Sequence, residues 1–317
     1  VEWKDPSDGE VFYLPVDQGP ETSHAQVLQL PFFGGGNFRQ MSAGYGPYTL
    51  SRLCAETGGR YLITEQSSGP KFDMAVMRAY APDYRPIRVI EQEVRKNAAM
   101  TTLVQAAAAT YDPQNGQIEV PMLEFRAYND NILREELREA QKPVAVTNYK
   151  LDRIYTMLAA GEKDRPKIAD RRWQASYDLA MGRILALKVR MEGYNRMLAG
   201  MSASPRSFSD PKNNMWKLVP SDEVETGPQM RKAAEQAKEL LKRVIDEHPG
   251  TPWALMAEKE LAQPLGWTWA EAARTVPGMD GRNVSDEERV RLLLAEDERQ
   301  REEQQRRRSK PRELPKL

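Results

Sequence analysis

The middle third of the chain carries apolar residues at alternating intervals of three and four positions, in two successive series. An average spacing of about 3.5 residues places each series along one side of a helix, and two such helices joined by a short polar loop pack as an antiparallel hairpin or coiled coil. The pattern therefore predicts a long helical hairpin across 137–198, with GEKDRP as its loop. Pro143 either kinks the first helix or marks its start near Lys142. The two series are Leu137, Ala140, Val144, Thr147, Leu151, Ile154 and Leu158, then Trp173, Tyr177, Ala180, Ile184, Leu187, Met191, Tyr194 and Leu198.

A second pair of helices is predicted for 230–262, where Met230 to Ile245 and Trp253 to Leu261 flank a tight HPGT turn. The alanine-rich contact face and the turn resemble a single tetratricopeptide-type repeat. No second copy follows at a period of about 34 residues, and one such unit cannot bury its own faces. The following segment, GWTWAEA, is expected to pack back onto the pair.

The first third of the chain mixes short strand signals with loops. Val1–Trp3 and Glu10–Leu14 flank a turn and predict a β-hairpin. The PFFGGGNF segment is either a flexible connector or an anion site, although it lacks the Lys-Ser/Thr pair of a phosphate-binding loop. Helix formers predict a helix from Ile87 to about Ala109, and Ile118–Phe125 predicts a short strand.

Residues 46–64, GPYTLSRLCAETGGRYLIT, read as a helix that leads directly into a strand. A Gly-Pro dipeptide supplies the cap and the first helical residue, and Cys54 falls on the apolar face. Gly58 or Gly59 is expected to end the helix in the left-handed conformation. Residues 61–64 then predict a buried strand, so the passage is one α-to-β unit of a layered sheet.

This passage resembles the last helix and strand of a von Willebrand factor A-like domain. The resemblance covers about residues 1–66 and implies the closing element of a doubly wound sheet, in a bacterial protein that continues into a helical region. It favours the cell envelope or periplasm over the cytoplasm. The matching residues are Leu50, Leu53, Thr57, Gly58, Gly59 and Tyr61.

The metal-binding motif of that family does not occur in this sequence. Members that bind ligands hold a divalent metal with an Asp-x-Ser-x-Ser loop and a later Thr and Asp, and no Asp-x-Ser-x-Ser is found among the 317 residues. We therefore assign no metal ligand and no cofactor, and we expect the motif either to lie upstream of Val1 or to have been lost. The start at a residue other than methionine favours a fragment or a processed chain.

Composition narrows the classes of partner. Lys plus Arg and Asp plus Glu number 46 each, so no overall field attracts nucleic acid or an anionic membrane. The balance of 40% hydrophobic and 29% charged residues suits long exposed helices. A single cysteine excludes an internal disulfide and a site of several thiolates. Because no apolar run reaches about 18 residues, no transmembrane helix is predicted.

The usual signatures of enzymes are missing from the sequence. Neither His24, in a polar loop, nor His248, in a turn, has a carboxylate or cysteine at metal-ligand spacing, and a structural role is expected for both. On an apolar face, the thiol of Cys54 is expected to be a small core group rather than a nucleophile. No G-x-S-x-G elbow occurs, so we predict no catalytic residue. An enzyme whose catalytic residues lie upstream or assemble from scattered acidic residues is a third hypothesis.

Charged residues dominate from Ser285 onward. Ser285 and Glu288 form a capping box, and a solvated helix is expected to fade into a disordered tail. Alternatively, a basic cluster in this tail contacts the phosphates of nucleic acid or of another polyanion. The cluster comprises Arg306, Arg307, Arg308, Lys310 and Arg312.

Together these patterns predict a mostly α protein with a smaller α/β portion. The leading hypothesis is a non-enzymatic protein-interaction or scaffolding protein that presents the surfaces of 137–198 and 230–262 to a protein partner. The alternative is an adaptor that binds a polyanion or nucleic acid through the basic tail. The predicted regions are 1–70 (the A-like portion with its hairpin), 71–200 (helical, with the long hairpin), 201–228 (linker), 229–276 (tetratricopeptide-like pair) and 277–317 (charged helix and tail).

Overall fold

A computed structural model describes residues 2–4, 11–13, 72–111 and 118–274, except for 82, 84, 119, 225 and 226, together with some positions in 26–31, 53–59 and 291–299. Within these residues the protein is mostly helical and has a small β component, as the predicted fold class has it at this coarse level. Strands β1 (Glu2–Lys4) and β2 (Val11–Tyr13) pair antiparallel, which confirms the predicted N-terminal hairpin.

The helices of the described part lie between residues 74 and 261. They are α1 (Met74–Met77), α2 (Ile87–Lys96), α3 (Ala98–Tyr111), α4 (Asp130–Gly161), α5 (Arg171–Ala203), α6 (Pro228–Glu247) and α7 (Pro252–Leu261), with short 3₁₀ helices at Arg78–Tyr80 and Glu162–Lys167. The helix predicted from Ile87 to Ala109 is divided at Asn97. Its side-chain oxygen accepts a hydrogen bond from the Met100 amide at 3.1 Å and so caps the start of α3.

The predicted hairpin is confirmed, since α4 and α5 pack against each other along their apolar faces. The Tyr177 hydroxyl donates to the Leu158 carbonyl at 2.6 Å near the connection. Gln141 reaches the Asn195 carbonyl at 3.3 Å further along, so the two helices run antiparallel. A start of α4 near Lys142 is wrong, because the helix begins at Asp130 and continues through Pro143. Because the helix is packed on both sides of the proline, it tolerates the loss of the one backbone hydrogen bond that proline removes.

Helix α5 is the centre of the fold. Of its 33 residues 22 are buried, so it is covered on every side rather than along one seam. Helix α4 covers one side, and α6, α7 and the strand Gly266–Ala272 cover others. This explains how a helix with scattered charged residues can lie in the core.

Helices α6 and α7 form the predicted pair, and both pack against α5. The approach of α6 is close at Gly182, where a Cβ atom would lie 2.8 Å from Cγ of Leu241. A continuous set of buried side chains joins the hairpin and the pair into one core. Burial against α5 therefore solves the problem that a single helical pair cannot cover its own faces.

Three strands form an antiparallel sheet in the order β3 (Glu124–Arg126), β4 (Met215–Ser221) and β5 (Gly266–Ala272). The segment 201–228 is thus not a simple linker, because it contains the central strand. Its Asp-Pro and Asn-Asn residues suggest a loop, but Trp216 and Leu218 are buried where β4 crosses the core. The predicted strand at Ile118–Phe125 is present only as β3, and GWTWAEA is the edge strand β5.

Part of the helix-to-strand passage is also described. Residues 53, 54, 56 and 57 are helical, and the Thr57 hydroxyl donates to the Leu53 carbonyl at 2.7 Å. Gly58 has φ of +68°, which confirms that a glycine in the left-handed conformation follows this turn. Leu53 is 55% exposed, so it does not contribute to a buried apolar face. Leu50 and the strand predicted at 61–64 lie outside the described residues.

Candidate functional site

The residues predicted to contact a polyanion lie outside the part of the chain that the structure describes. These are Arg306, Arg307, Arg308, Lys310 and Arg312, and His24 is likewise outside it. His248 and Cys54 are described.

His248 ends α6 and is only 1% exposed. Its Nδ1 atom lies 3.0 Å from the hydroxyl of Tyr80, and the Tyr80 ring stacks on Trp253 with centroids 5.5 Å apart. Burial lowers the pKa of His248, although the nearby carboxylates of Asp178 and Glu247 oppose this shift. A neutral imidazole packed among aromatic rings fits the structural role that the sequence predicts.

Asp178, Glu247 and His248 lie together, with one potential ligand atom from each within 4.8 Å of the others. Sequence reasoning missed this cluster because Asp178 is on α5 and the other two residues end α6. Arginine side chains, however, already occupy the carboxylates. Arg165 binds Asp178 at 3.0 Å and Glu247 at 2.7 Å, and Arg243 binds Asp178 at 2.5 Å.

Two guanidinium groups next to these carboxylates make the cluster unsuitable for a metal ion. They take up the oxygen lone pairs that would coordinate a cation, and their positive charges repel it. The cluster instead joins the 3₁₀ helix Glu162–Lys167 to α5 and α6. Its geometry is that of a structural ion-pair network.

A second buried network connects α5 to α7. Glu260 accepts a hydrogen bond from Arg183 Nε at 3.0 Å and also pairs with Arg190. The remaining donors of the two arginines reach backbone carbonyls, including that of Leu30 at 3.0 Å and that of Gln263 at 2.8 Å. Because the carboxylate is fully engaged, it is not a free acid or base for catalysis.

A surface depression of the described residues runs along α4. It encloses about 890 Å³ between the segment 120–126 and the helix face from Glu135 to Lys150, and we call it the α4 groove. Its apolar lining includes Val120, Met122, Ala140, Pro143, Val144 and Val146.

Large apolar side chains are unusually exposed at the α4 groove. Val146, which lines the groove, is 57% exposed. Val120 and Met122 on the opposite wall are also exposed. Single exposed apolar residues need no explanation, whereas a contiguous group marks a binding surface.

Charged side chains divide the α4 groove into two ends. Glu135, Glu136 and Glu139 line one end, and Lys150 lies at the other. Arg126 pairs with Glu136 within the groove. Lys142 binds Glu139, and hydrogen bonds from this lysine lower the pKa of the glutamate, which therefore stays charged.

No helix among the described residues is long and apolar enough to cross a membrane. The described part of the chain thus offers two engaged ionic networks in its interior and an apolar groove on its surface. The carboxylates of both networks are held in ion pairs, and the groove presents apolar side chains at the surface. No protein family, characterised protein or solved structure matches the chain.

Proposed function

We propose that this chain is a non-enzymatic protein-interaction or scaffolding protein whose α4 groove receives a helix of a partner protein. The observation that carries this proposal is the group of exposed apolar residues on both walls of the groove, Val120, Met122 and Val146. Burial of such side chains against a partner is favourable by about 25 cal/mol per Å² of apolar surface.

The dimensions of the groove support a helical ligand. From Glu135 to Lys150 the helix α4 advances roughly 22 Å, at about 1.5 Å per residue, which equals about four turns of a docked helix. A partner helix would place residues at positions i, i+3, i+4 and i+7 between α4 and the segment 120–126. Ala140 and Pro143 line the groove with small side chains, which leave room for a partner helix.

The charge distribution sets the direction of the partner helix. Glu135 and Glu139 make surface pairs with Arg138 and Lys142, and such exposed pairs contribute little and can exchange partners. A partner with basic residues over this end and an acidic residue over Lys150 would be electrostatically complementary. We therefore expect a helix that is apolar on one face and basic at one end.

Binding of synthetic peptides tests this function. The full chain should bind a fluorescein-labelled amphipathic helix of about four turns, with leucines on one face and lysines at one end, as measured by anisotropy. The double variant Met122→Glu, Val146→Glu should weaken binding at least about tenfold, since both changes place charge in the apolar contact. Ile87→Glu, a change of an exposed apolar residue on α2, is the matched control and should leave binding unchanged.

A peptide of the same composition with its leucines spread around the helix separates specific docking from general stickiness. It should bind at least about tenfold more weakly than the amphipathic peptide. Equal binding of the two peptides, or unchanged binding by the groove variant, would contradict the proposed function.

We also propose that residues 46–64 are the last helix and strand of a von Willebrand factor A-like domain. The helical residues around Cys54 and the left-handed Gly58 support this. If residues 61–64 form a buried strand, their amides should be protected from hydrogen–deuterium exchange as strongly as those of β4. Exchange at the rate of an unstructured peptide would rule the strand out.

A further inference from the structure

A second concave site lies between the C-terminal half of α5 and the edge strand β5. This site, which we call the α5 cleft, encloses about 460 Å³. Its apolar lining includes Met197, Met201, Val224, Leu265, Trp267 and Trp269. The volume is in the range of small-molecule sites, which are mostly apolar with a few polar groups.

Glycine on α5 leaves room for a ligand. Gly193 and Gly200 both line the α5 cleft. A Cβ atom added at Gly200 would have no heavy-atom neighbour within 4 Å, so this position faces open space. The cleft therefore remains open where most helical residues would fill it with a side chain.

Among the described residues that line the α5 cleft, the charged ones are Arg196 and Arg206, and none is acidic. Within the described part of the chain, neither arginine forms an ion pair. The arginines of the core differ in this respect, since Arg165, Arg183 and Arg190 are each held by a carboxylate. Two unpaired guanidinium groups beside an apolar cleft attract an anion with an apolar body.

We propose that the α5 cleft binds a small amphipathic carboxylate with a flat aromatic body. The carboxylate pairs with Arg196 and Arg206, because a guanidinium group binds a carboxylate through two parallel hydrogen bonds. The aromatic body contacts Trp267, Trp269 and Met197, where ring–ring and sulfur–ring contacts add to burial. This site is independent of the α4 groove, so either proposal can fail alone.

The binding of 1-naphthylacetate to the full chain tests this site against its neutral isostere, 1-naphthylacetamide. Two of the protein's six tryptophans line the cleft, so intrinsic fluorescence reports occupancy directly. The acid should bind at least about tenfold more tightly than the amide, because only the acid carries the charge that the arginines recognise. Equal affinities would overturn the proposal.

Charge-removing variants assign the binding to the cleft. Arg196→Gln and Arg206→Gln should each weaken binding of the acid about fivefold to tenfold and leave the amide unchanged. Arg88→Gln, a change of an exposed arginine on α2, should alter neither affinity. Loss of the preference for the acid in Arg88→Gln, or its persistence in the double variant Arg196→Gln, Arg206→Gln, would show that the charge is recognised elsewhere.

A size-based variant provides a test that does not depend on charge. Gly200→Leu places a side chain in the open part of the cleft and should abolish binding of both compounds, whereas Gly200→Ala should retain most of it. Circular dichroism and the thermal midpoint show whether both variants are folded. Unchanged binding by folded Gly200→Leu would contradict the site. Tighter binding of a peptide with a free C-terminal tryptophan than of the acid would assign the cleft to a protein terminus instead.

Discussion

At the residue scale, Asp178 and Glu260 show how charge is accommodated in this core. Each carboxylate is buried and is held by two arginines, Arg165 and Arg243 in one network and Arg183 and Arg190 in the other. Removing one partner of such a pair leaves an uncompensated buried charge and costs about 3–5 kcal/mol. The networks therefore restrict how α5 can rotate or slide relative to α6 and α7.

His248 gives the protein a stability that depends on pH. Burial, together with Arg171 and Arg165, lowers the pKa of His248, whereas Asp178 and Glu247 raise it. Because the folded-state pKa is below the ordinary value of about 6.5, the unfolded chain takes up a proton first as the pH falls. The stabilisation is therefore complete above about pH 6.5 and is lost as the pH decreases towards the folded-state pKa.

Urea unfolding of the wild type between about pH 7 and pH 5 should show this loss. The free energy of unfolding should decrease by at most about 1.4 kcal/mol per pH unit, because the unfolded chain binds one more proton than the folded protein. His248→Gln should be less stable at neutral pH and should show a flatter dependence in this range. His24→Gln removes the other histidine and is the control. A slope that disappears in His24→Gln but persists in His248→Gln would contradict the assignment.

At the element scale, the contact between α5 and α6 depends on a glycine. Alanine is favoured over glycine inside a helix by about 1 kcal/mol, so helix propensity alone predicts that Gly182→Ala stabilises the protein. The new methyl group would lie 2.8 Å from Cγ and 3.3 Å from the backbone nitrogen of Leu241. Since the backbone of α6 must move to relieve this contact, we expect a net loss of about 1–3 kcal/mol.

Gly200→Ala on the same helix is the matched control for Gly182→Ala. Its methyl group meets no neighbour within 4 Å, so only the propensity remains and we expect a gain of about 0.5–1 kcal/mol. Chemical denaturation of both variants measures the difference. If Gly182→Ala were more stable than the wild type, α5 and α6 would be able to move apart at this contact without a loss of stability.

The elements that sequence reasoning predicted well are those whose signal is local. Residues such as Leu151 and Ile184 repeat along one helix face, and they are buried at the contact of α4 and α5 as expected. Strand β4 was missed because its partners, β3 and β5, are distant in sequence and because Pro220 and the preceding turn residues favour a loop. The strand conformation of this segment is therefore set by pairing with distant strands rather than by its own composition.

At the scale of the whole molecule, neither surface site could be predicted from the sequence. The α4 groove requires that the segment 120–126 lie beside α4, and the α5 cleft requires that β5 return to α5. One signal was available for the buried networks. Residues 173–201 are apolar around most of the helix circumference, which is typical of a buried helix whose few charged residues must be paired.

The central position of α5 has a consequence for synthesis on the ribosome. When Ala203 has been added, α4 can cover one side of α5, but the residues that cover its other sides extend to Ala272. For the translation of about 70 further residues, apolar side chains such as Leu185 and Val189 remain without their final neighbours. Exposed surface of this kind is aggregation-prone and is recognised by chaperones. The nascent chain therefore passes through a vulnerable interval that ends only when α6, α7 and β5 have emerged from the exit tunnel.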